Sequence, residues 1–438
     1  MKTQDVNFDG LVGLTHNYSG VVKGDVGAAN KDQIARPRQA ALENLNKMRG
    51  LMNLGLRQGV LPPHERPAVG FLRDLGFSGS DHRIWEKAWT QAPRYARAAA
   101  ASASMWASNS ATTSPSANCG DGLLHISIAN LNAALHRSIE AEASERVVRR
   151  IFADETTFRV HGPLPAHASF SDEGGANHLR LSAGKGAQGL EIFVHGRGER
   201  PRHTLEASQA IARRHGLDPA RVIFTSLSEA AQKAGAMYSD LVAVAHENVL
   251  LSHAEAFHNP ETLKAEIRDK ARGLFEPVLI EITPEEVSLA DAVKTCFFNA
   301  QMLRFPYASR LSFVAPREVR ENNQTADLAA DLRRRSGGII DAPMFAEVYQ
   351  SMRAGGGPSS MALSFEMTAE EAAAVQAGFF LTPKLSDALE DWISTHYRAE
   401  LSPADLSDPL LIDETRKALD ELTRILPLGT DFYPFQRV

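Results

Sequence analysis

The apolar residues of this chain arrive in short bursts. "LEIFVHG" (190–196), "RVIF" (221–224), "PVLIEI" (277–282), "RLSFVAP" (310–316) and "MALSFEM" (361–367) are too short for helices and rich in β-branched and aromatic residues, so each reads as a strand. "DLVAVAHENVLLSH" (240–253) reads as two strands around a tight turn. Single helical segments lie between the bursts. "TLEASQAIARRHG" (204–216) has a Thr cap and a terminal Gly, and Thr368-Ala-Glu-Glu371 is a capping box. A helix is expected over 34–58, with Leu42, Leu45, Met48, Leu51 and Met52 on one face, and another through "LADAVKTCFFNAQML" (289–303). The last ~55 residues read as helical, opening at Thr382-Pro383 and again at Ser402-Pro403-Ala-Asp405. The first 35 residues read as loop with a short strand around Val6–Phe8. Paired strands interleaved with single helices suit a repeated ββαβ unit better than strict βαβ alternation, and the expected class is α/β.

No boundary splits the 438 residues convincingly, so one domain is expected. The Ala/Ser-rich stretch 96–118 has a flexible linker as its alternative reading, although Met105, Trp106 and Asn109 are poor linker residues. A net charge of −6 argues against a nucleic-acid binder, and no apolar run reaches the ~18 residues of a membrane span. The N-terminus lacks a secretory apolar run, and two distant cysteines, Cys119 and Cys296, do not suggest a disulfide framework, so the cytoplasm is the default location.

Gly184-Lys-Gly-Ala-Gln-Gly189 matches a dinucleotide fingerprint but precedes a strand instead of following one. No phosphate-loop motif, no H-E-x-x-H and no Cys/His run with zinc spacing occurs, so neither metal nor nucleotide is expected. Better candidates are polar residues beside glycines. Asp172, Glu173, Asn177 and His178 flank Gly174-Gly175, with a solvated turn as the alternative. His136 and Arg137 follow an apolar run, Arg202 precedes a helix start where an anion could sit, and Asp240 opens a buried-looking strand. "RAGGGPSSMALSF" (353–365) puts three glycines and two serines before a strand, enough freedom for backbone to approach a flat ligand.

Taken in order, "VNFDGLVGLTHNYSG", "PPHERP", "LGFSGSD", "MWASNSAT", "HRSIEA", "DEGGANH", "GGGP" and the terminal "YPFQ" resemble the N-succinylarginine dihydrolase family of the guanidino-group-modifying (pentein) superfamily. The likeness runs from Val6 to about Gln436. It implies a five-bladed α/β propeller of ββαβ units with pseudo-fivefold symmetry, and a homodimer. It also implies hydrolysis of the guanidino group of N2-succinylarginine to N2-succinylornithine, ammonia and carbon dioxide, without metal or organic cofactor. Such chemistry needs carboxylates on the guanidinium, a nucleophile for its carbon and a proton shuttle.

Position by position, the resemblance implies Glu173 as the catalytic glutamate and Asn109, His136, Arg137, Arg202 and Asp240 as substrate contacts, with Ser19 and Gly20 in the substrate loop. Three positions depart. Tyr238 stands where the family has its acid/base histidine, Ser360 where it has its cysteine nucleophile, and Ala354 where it has a substrate asparagine. Val22-Lys23-Gly24-Asp25 departs as well. Three readings follow: a succinylarginine-type hydrolase with Ser360 as a weak nucleophile, a repurposed site for another acylated amino acid, and a non-catalytic binding homologue.

Overall fold

The computed structural model describes residues 2–20, 26–184, 186–199 and 201–437. The positions 22–25 of the substrate loop lie outside them. Among the described residues, fifteen strands form five three-stranded sheets. β1 (Thr3–Gly10) leads through α1 (Pro37–Asn53) to β2 (Arg57–Leu61), parallel to it. β3 (Ala111–Ser114) and β4 (Leu124–Ile128) are antiparallel; after α2 (Ala141–Ile151), β5 (Phe158–His161) returns parallel to β4. The order repeats with β6 (His178–Ser182), β7 (Gly189–His195), α3 (Leu205–Arg214) and β8 (Val222–Ser226). It repeats again with β9 (Ala243–His246), β10 (Val249–His253), α4 (Pro260–Ala271) and β11 (Val278–Ile282). The next round is β12 (Gln301–Leu303), β13 (Ser312–Pro316), α5 (Asn323–Arg335) and β14 (Met344–Ala346).

The remaining blade joins both ends of the chain. β15 (Ala362–Thr368) pairs antiparallel with β1, from Thr3 opposite Thr368 to Asp9 opposite Ala362. Each blade is therefore an antiparallel pair, a helix and a parallel strand, the ββαβ unit expected from the sequence. First strands face the centre: β6 packs beside β9, β9 beside β12, and β15 beside β3. The propeller closes without a barrel.

Local chemistry explains the element ends. Thr204 caps α3 through the Ala207 N–H, and the Thr368–Glu371 capping box is complete. α1 is shorter than expected, because Pro37 opens it and Gly55, at φ +94°, lies just beyond its end. The first strand is longer than Val6–Phe8, since β15 pairs along its full length. The helix expected over 289–303 covers only Leu289–Lys294; Cys296 turns the backbone left-handed at φ +50° and β12 begins at Gln301. Nor is 96–118 a linker: Ala98, Ala99 and Ala100 are buried at the end of a helix (Pro93–Ala100), Met105 is in the core, and β3 follows.

The core fills the space between sheets and helices. Phe8 stacks edge-on against Phe152 and Phe365, tying the closing blade to its neighbour. α6 (Pro383–His396) and α7 (Leu410–Ile425) pack on each other, and α6 packs on α1. Under α1, Lys47 and Asp9 form a fully buried ion pair at 2.6 Å, with Gln58 Nε2 donating to Asp9 at 2.9 Å. Among the described residues, no helix is long and apolar enough to cross a membrane.

Candidate functional site

Two cavities occupy the centre. The larger, about 990 Å³, is lined by first strands and includes Asp5, His246, Gln301 and Glu366. The smaller, about 100 Å³, is lined by Gly20, Asn109, His136, Arg137, Arg202, Tyr238, Ala354 and Ser360. Eight of the eleven positions implied by the resemblance thus share one chamber, although they come from distant parts of the chain. Ser19 lies beside Gly20, its N–H donating to Asn17 Oδ1 at 2.8 Å. Glu173 and Asp240 do not line the small chamber; they reach it through Arg137 and Ser360.

Glu173 and its neighbours are not a solvated turn. Asp172, Glu173 and Asn177 are fully buried. Asp172 Oδ1 accepts the Gly174 N–H at 2.9 Å, and Asn177 Oδ1 accepts the Ser239 N–H at 3.2 Å, which locks this turn to the segment carrying Tyr238 and Asp240. Gly174 has φ +66°, and a Cβ there would lie 2.6 Å from the Asn109 carbonyl. The close approach lets Asn109 Nδ2 donate to the Glu173 carbonyl at 2.8 Å. His178, by contrast, points to Glu191 at 2.6 Å and belongs to the larger cavity.

The Glu173 carboxylate meets the protein's own cation. Arg137 Nη1 lies 2.6 Å from Glu173 Oε2. The contact is an ion pair without aligned hydrogen-bond geometry, as both carboxylate oxygens lack a hydrogen-bond donor. Burial pushes the Glu173 carboxyl up, and Arg137, then Arg202, pull it back. The Tyr238 hydroxyl accepts from Arg137 and, at 3.0 Å, from Arg202 Nη1. Both guanidinium carbons stand 5.7 Å from the centre of its ring. Burial raises the Tyr238 phenol above its ordinary value, against the pull of Arg137, so it stays protonated at neutral pH. Burial and Arg137 push His136 down to about 3, leaving a neutral imidazole.

The other half of the site is the glycine-rich turn. The helix Tyr349–Ala354 ends at Gly355, which is left-handed at φ +108°. Gly356 sits against Trp106, where a Cβ would lie 2.3 Å from the indole. Asn299, fully buried, accepts the Gly357 N–H at 2.8 Å and the Ser360 N–H at 3.1 Å on its Oδ1. Sequence reasoning passed over Asn299; its signal was an amide inside the apolar run "CFFNAQML". Ser360 Oγ donates to Asp240 Oδ2 at 3.4 Å, while Asp240 Oδ1 is buried without a donor. Burial pushes the Asp240 carboxyl up to about 7, partly offset by Asn299 and Ser360. The Ser360 hydroxyl thus faces a carboxyl that changes charge near neutrality. Among the described residues, one group has metal-ligand spacing, His125, His161 and His215, and it lines neither cavity.

Comparison with known proteins gives this geometry its context. The succinylarginine dihydrolase family model matches residues 2–436. "N-succinylarginine dihydrolase 2" of Caulobacter vibrioides is 48% identical, over 99% of this chain and 98% of that protein. The N-succinylarginine dihydrolase of Paraburkholderia xenovorans is 42% identical over the whole of both. Among solved structures, the N-terminal domain of ArgZ bound to product, an arginine dihydrolase of cyanobacteria, aligns with a TM-score of 0.51 at 12% identity, covering 83% of this chain and 98% of that one. At such identity the likeness bears on the fold alone, and it is a likeness to a pentein propeller. With its five ββαβ blades and a family match along nearly its whole length, the chain belongs to the succinylarginine dihydrolase family.

Proposed function

We propose that the chain takes N2-succinylarginine, or an acylated amino acid of the same shape, into the small chamber, and that it hydrolyses the guanidino group slowly through Ser360. The products would be N2-succinylornithine, ammonia and carbon dioxide. The observation that carries this reading is the Ser360–Asp240 contact at 3.4 Å with the carboxyl near 7. In it Asp240 takes the hydroxyl proton as Oγ attacks the guanidinium carbon, and returns it to the first departing ammonia. Water then hydrolyses the Ser360 adduct to a ureido group and frees Oγ, and a second round on that group releases the second ammonia and leaves a carbamate that loses carbon dioxide. Arg202, Asn109 and His136 supply donors for the acyl carboxylate. Losing the histidine alone corresponds to roughly 10²–10⁴ in rate, so turnover falls far below that of a thiol-bearing relative.

A second reading rests on the Arg137–Glu173 pair. With that carboxylate taken by Arg137, it is less available to a cationic ligand, while Arg137 and Arg202 both donate to Tyr238 at the chamber wall, which favours a ligand carrying acidic groups. Under it the chain binds an acylated amino acid without turnover. In both readings the chain works as one domain, in the cytoplasm, as a homodimer.

The test incubates the protein at high concentration with N2-succinylarginine, follows ammonia, and measures binding by calorimetry. Ammonia release that Ser360→Ala abolishes supports the hydrolase. Binding without release supports the second reading. Neither binding nor release overturns both.

A further inference from the structure

Far from the chamber, three imidazoles converge. His125 lies on β4, His161 ends β5, and His215 closes α3 of the following blade. One ring nitrogen of each lies within 4.8 Å of the others. The spacing in sequence, 36 and 54 residues, hides the group from any linear motif search.

The hydrogen bonds orient the rings. His125 Nε2 lies 2.9 Å from Asp121 Oδ1, so that nitrogen carries the proton and donates it to the carboxylate. Nδ1 of His125 is left with its lone pair toward the cluster, 3.0 Å from His161 Nε2. A carboxylate behind a histidine is the outer support that metal-bound imidazoles commonly have. Two nitrogens on one tetrahedral zinc, each at about 2.0–2.1 Å, lie roughly 3.3–3.4 Å apart. The observed pair needs to open by only a few tenths of an ångström. His215 is held between two hydroxyls, Ser114 Oγ on Nδ1 and Ser127 Oγ on Nε2, both at 2.8 Å. A hydroxyl can rotate to donate or accept, so one can turn aside while the other still holds the ring. His161 is half-exposed, which gives an ion an entry path and a water the fourth position.

We propose that His125, His161 and His215 form a binding site for a zinc-class divalent cation, supported by Asp121. Three imidazoles suit zinc, cobalt or nickel in preference to magnesium or calcium, which take oxygen ligands. Binding moves the His161 proton from Nε2 to Nδ1, so that both nitrogens of the His125–His161 pair offer lone pairs to the ion. The ion ties β4 and β5 of one blade to the helix of the next. The site is structural, remote from Ser360, and independent of the reaction proposed above.

The experiment uses the full chain without a histidine tag, stripped with chelator and titrated with zinc chloride by calorimetry. The expected result is one zinc per chain, a rise in Tm on zinc addition, and intense visible absorption bands when cobalt(II) replaces zinc. Asp121→Asn is expected to weaken zinc binding about 10–100-fold. His161→Gln is expected to abolish it and the cobalt bands. Should His161→Gln fail to fold, Asp121→Asn alone decides. No zinc uptake, or uptake that neither substitution changes, overturns the proposal.

Discussion

Arg137 holds Glu173 at 2.6 Å, and both side chains are at least nine-tenths buried. The carboxylate that the resemblance assigns to chemistry is neutralised from within. Tyr238 completes the arrangement by accepting from Arg137 and Arg202 together. A hydroxyl bridging two guanidinium groups spreads their hydrogen-bond donors without cancelling their charge.

Removing that hydroxyl tests the bridge. Tyr238→Phe leaves two guanidinium groups without their acceptor, and destabilisation of ~1–3 kcal/mol is expected in urea unfolding. In the same variant Arg137 and Arg202 no longer donate to the phenol oxygen, so binding of an acidic ligand such as succinate, followed by calorimetry, is expected to strengthen.

Asp240 makes stability depend on pH. Its carboxyl lies near 7 in the folded chain against an ordinary 3.8. The folded state therefore retains a proton that the unfolded chain has already lost, and this contribution to stability falls as pH rises from about 4 to about 7. The full difference corresponds to ~4 kcal/mol. Asp240→Asn is expected to raise the urea midpoint relative to the parent at about pH 8 and to leave it little changed at about pH 4. If Asp240 is the base, ammonia release rises through pH ~7 in the parent, and Asp240→Asn removes that rise.

Restoring the family residues tests whether the chamber is intact. Tyr238→His, Ala354→Asn and Ser360→Cys together should raise ammonia release from N2-succinylarginine by ~10² or more, and Ser360→Cys alone far less, because it supplies the thiol without the histidine and asparagine that the resemblance implies beside it. Equal rates for the single and triple variants would count against the assigned roles.

The Asp9–Lys47 pair tests the closing blade. Lys47→Met leaves a buried carboxylate with only Gln58 as donor, and a loss of about 3–5 kcal/mol is expected by urea unfolding. The companion variant Asp9→Leu with Lys47→Met should recover most of it.

Part of the propeller was legible because strands such as β7, β8, β11, β13 and β15 are short and apolar, and because Thr204 and Thr368 are caps in both sequence and space; β3, with the polar sequence ATTS, carries no such signal. The stretch 289–303 was not legible. An apolar run there suits helix and strand alike, and the left-handed turn at Cys296 depends on packing that no local pattern encodes. Eight of the positions implied by the resemblance line one chamber, a convergence that no single motif shows. The wiring of the site was not legible either. The Arg137–Glu173 pair joins residues 36 apart and the Arg137–Tyr238 bond residues 101 apart, contacts that no local pattern encodes. The three histidines were illegible for the same reason: they meet across two blades.

The blade shared by β1 and β15 ties folding to the timing of synthesis. Thr3 donates to Glu366, 363 residues downstream. A ribosome needs ~20–70 s for that distance at the usual 5–20 residues per second. Throughout that interval the leading strand has an unsatisfied flank, so chains interrupted before Ala362 should emerge as open rings prone to edge-to-edge association.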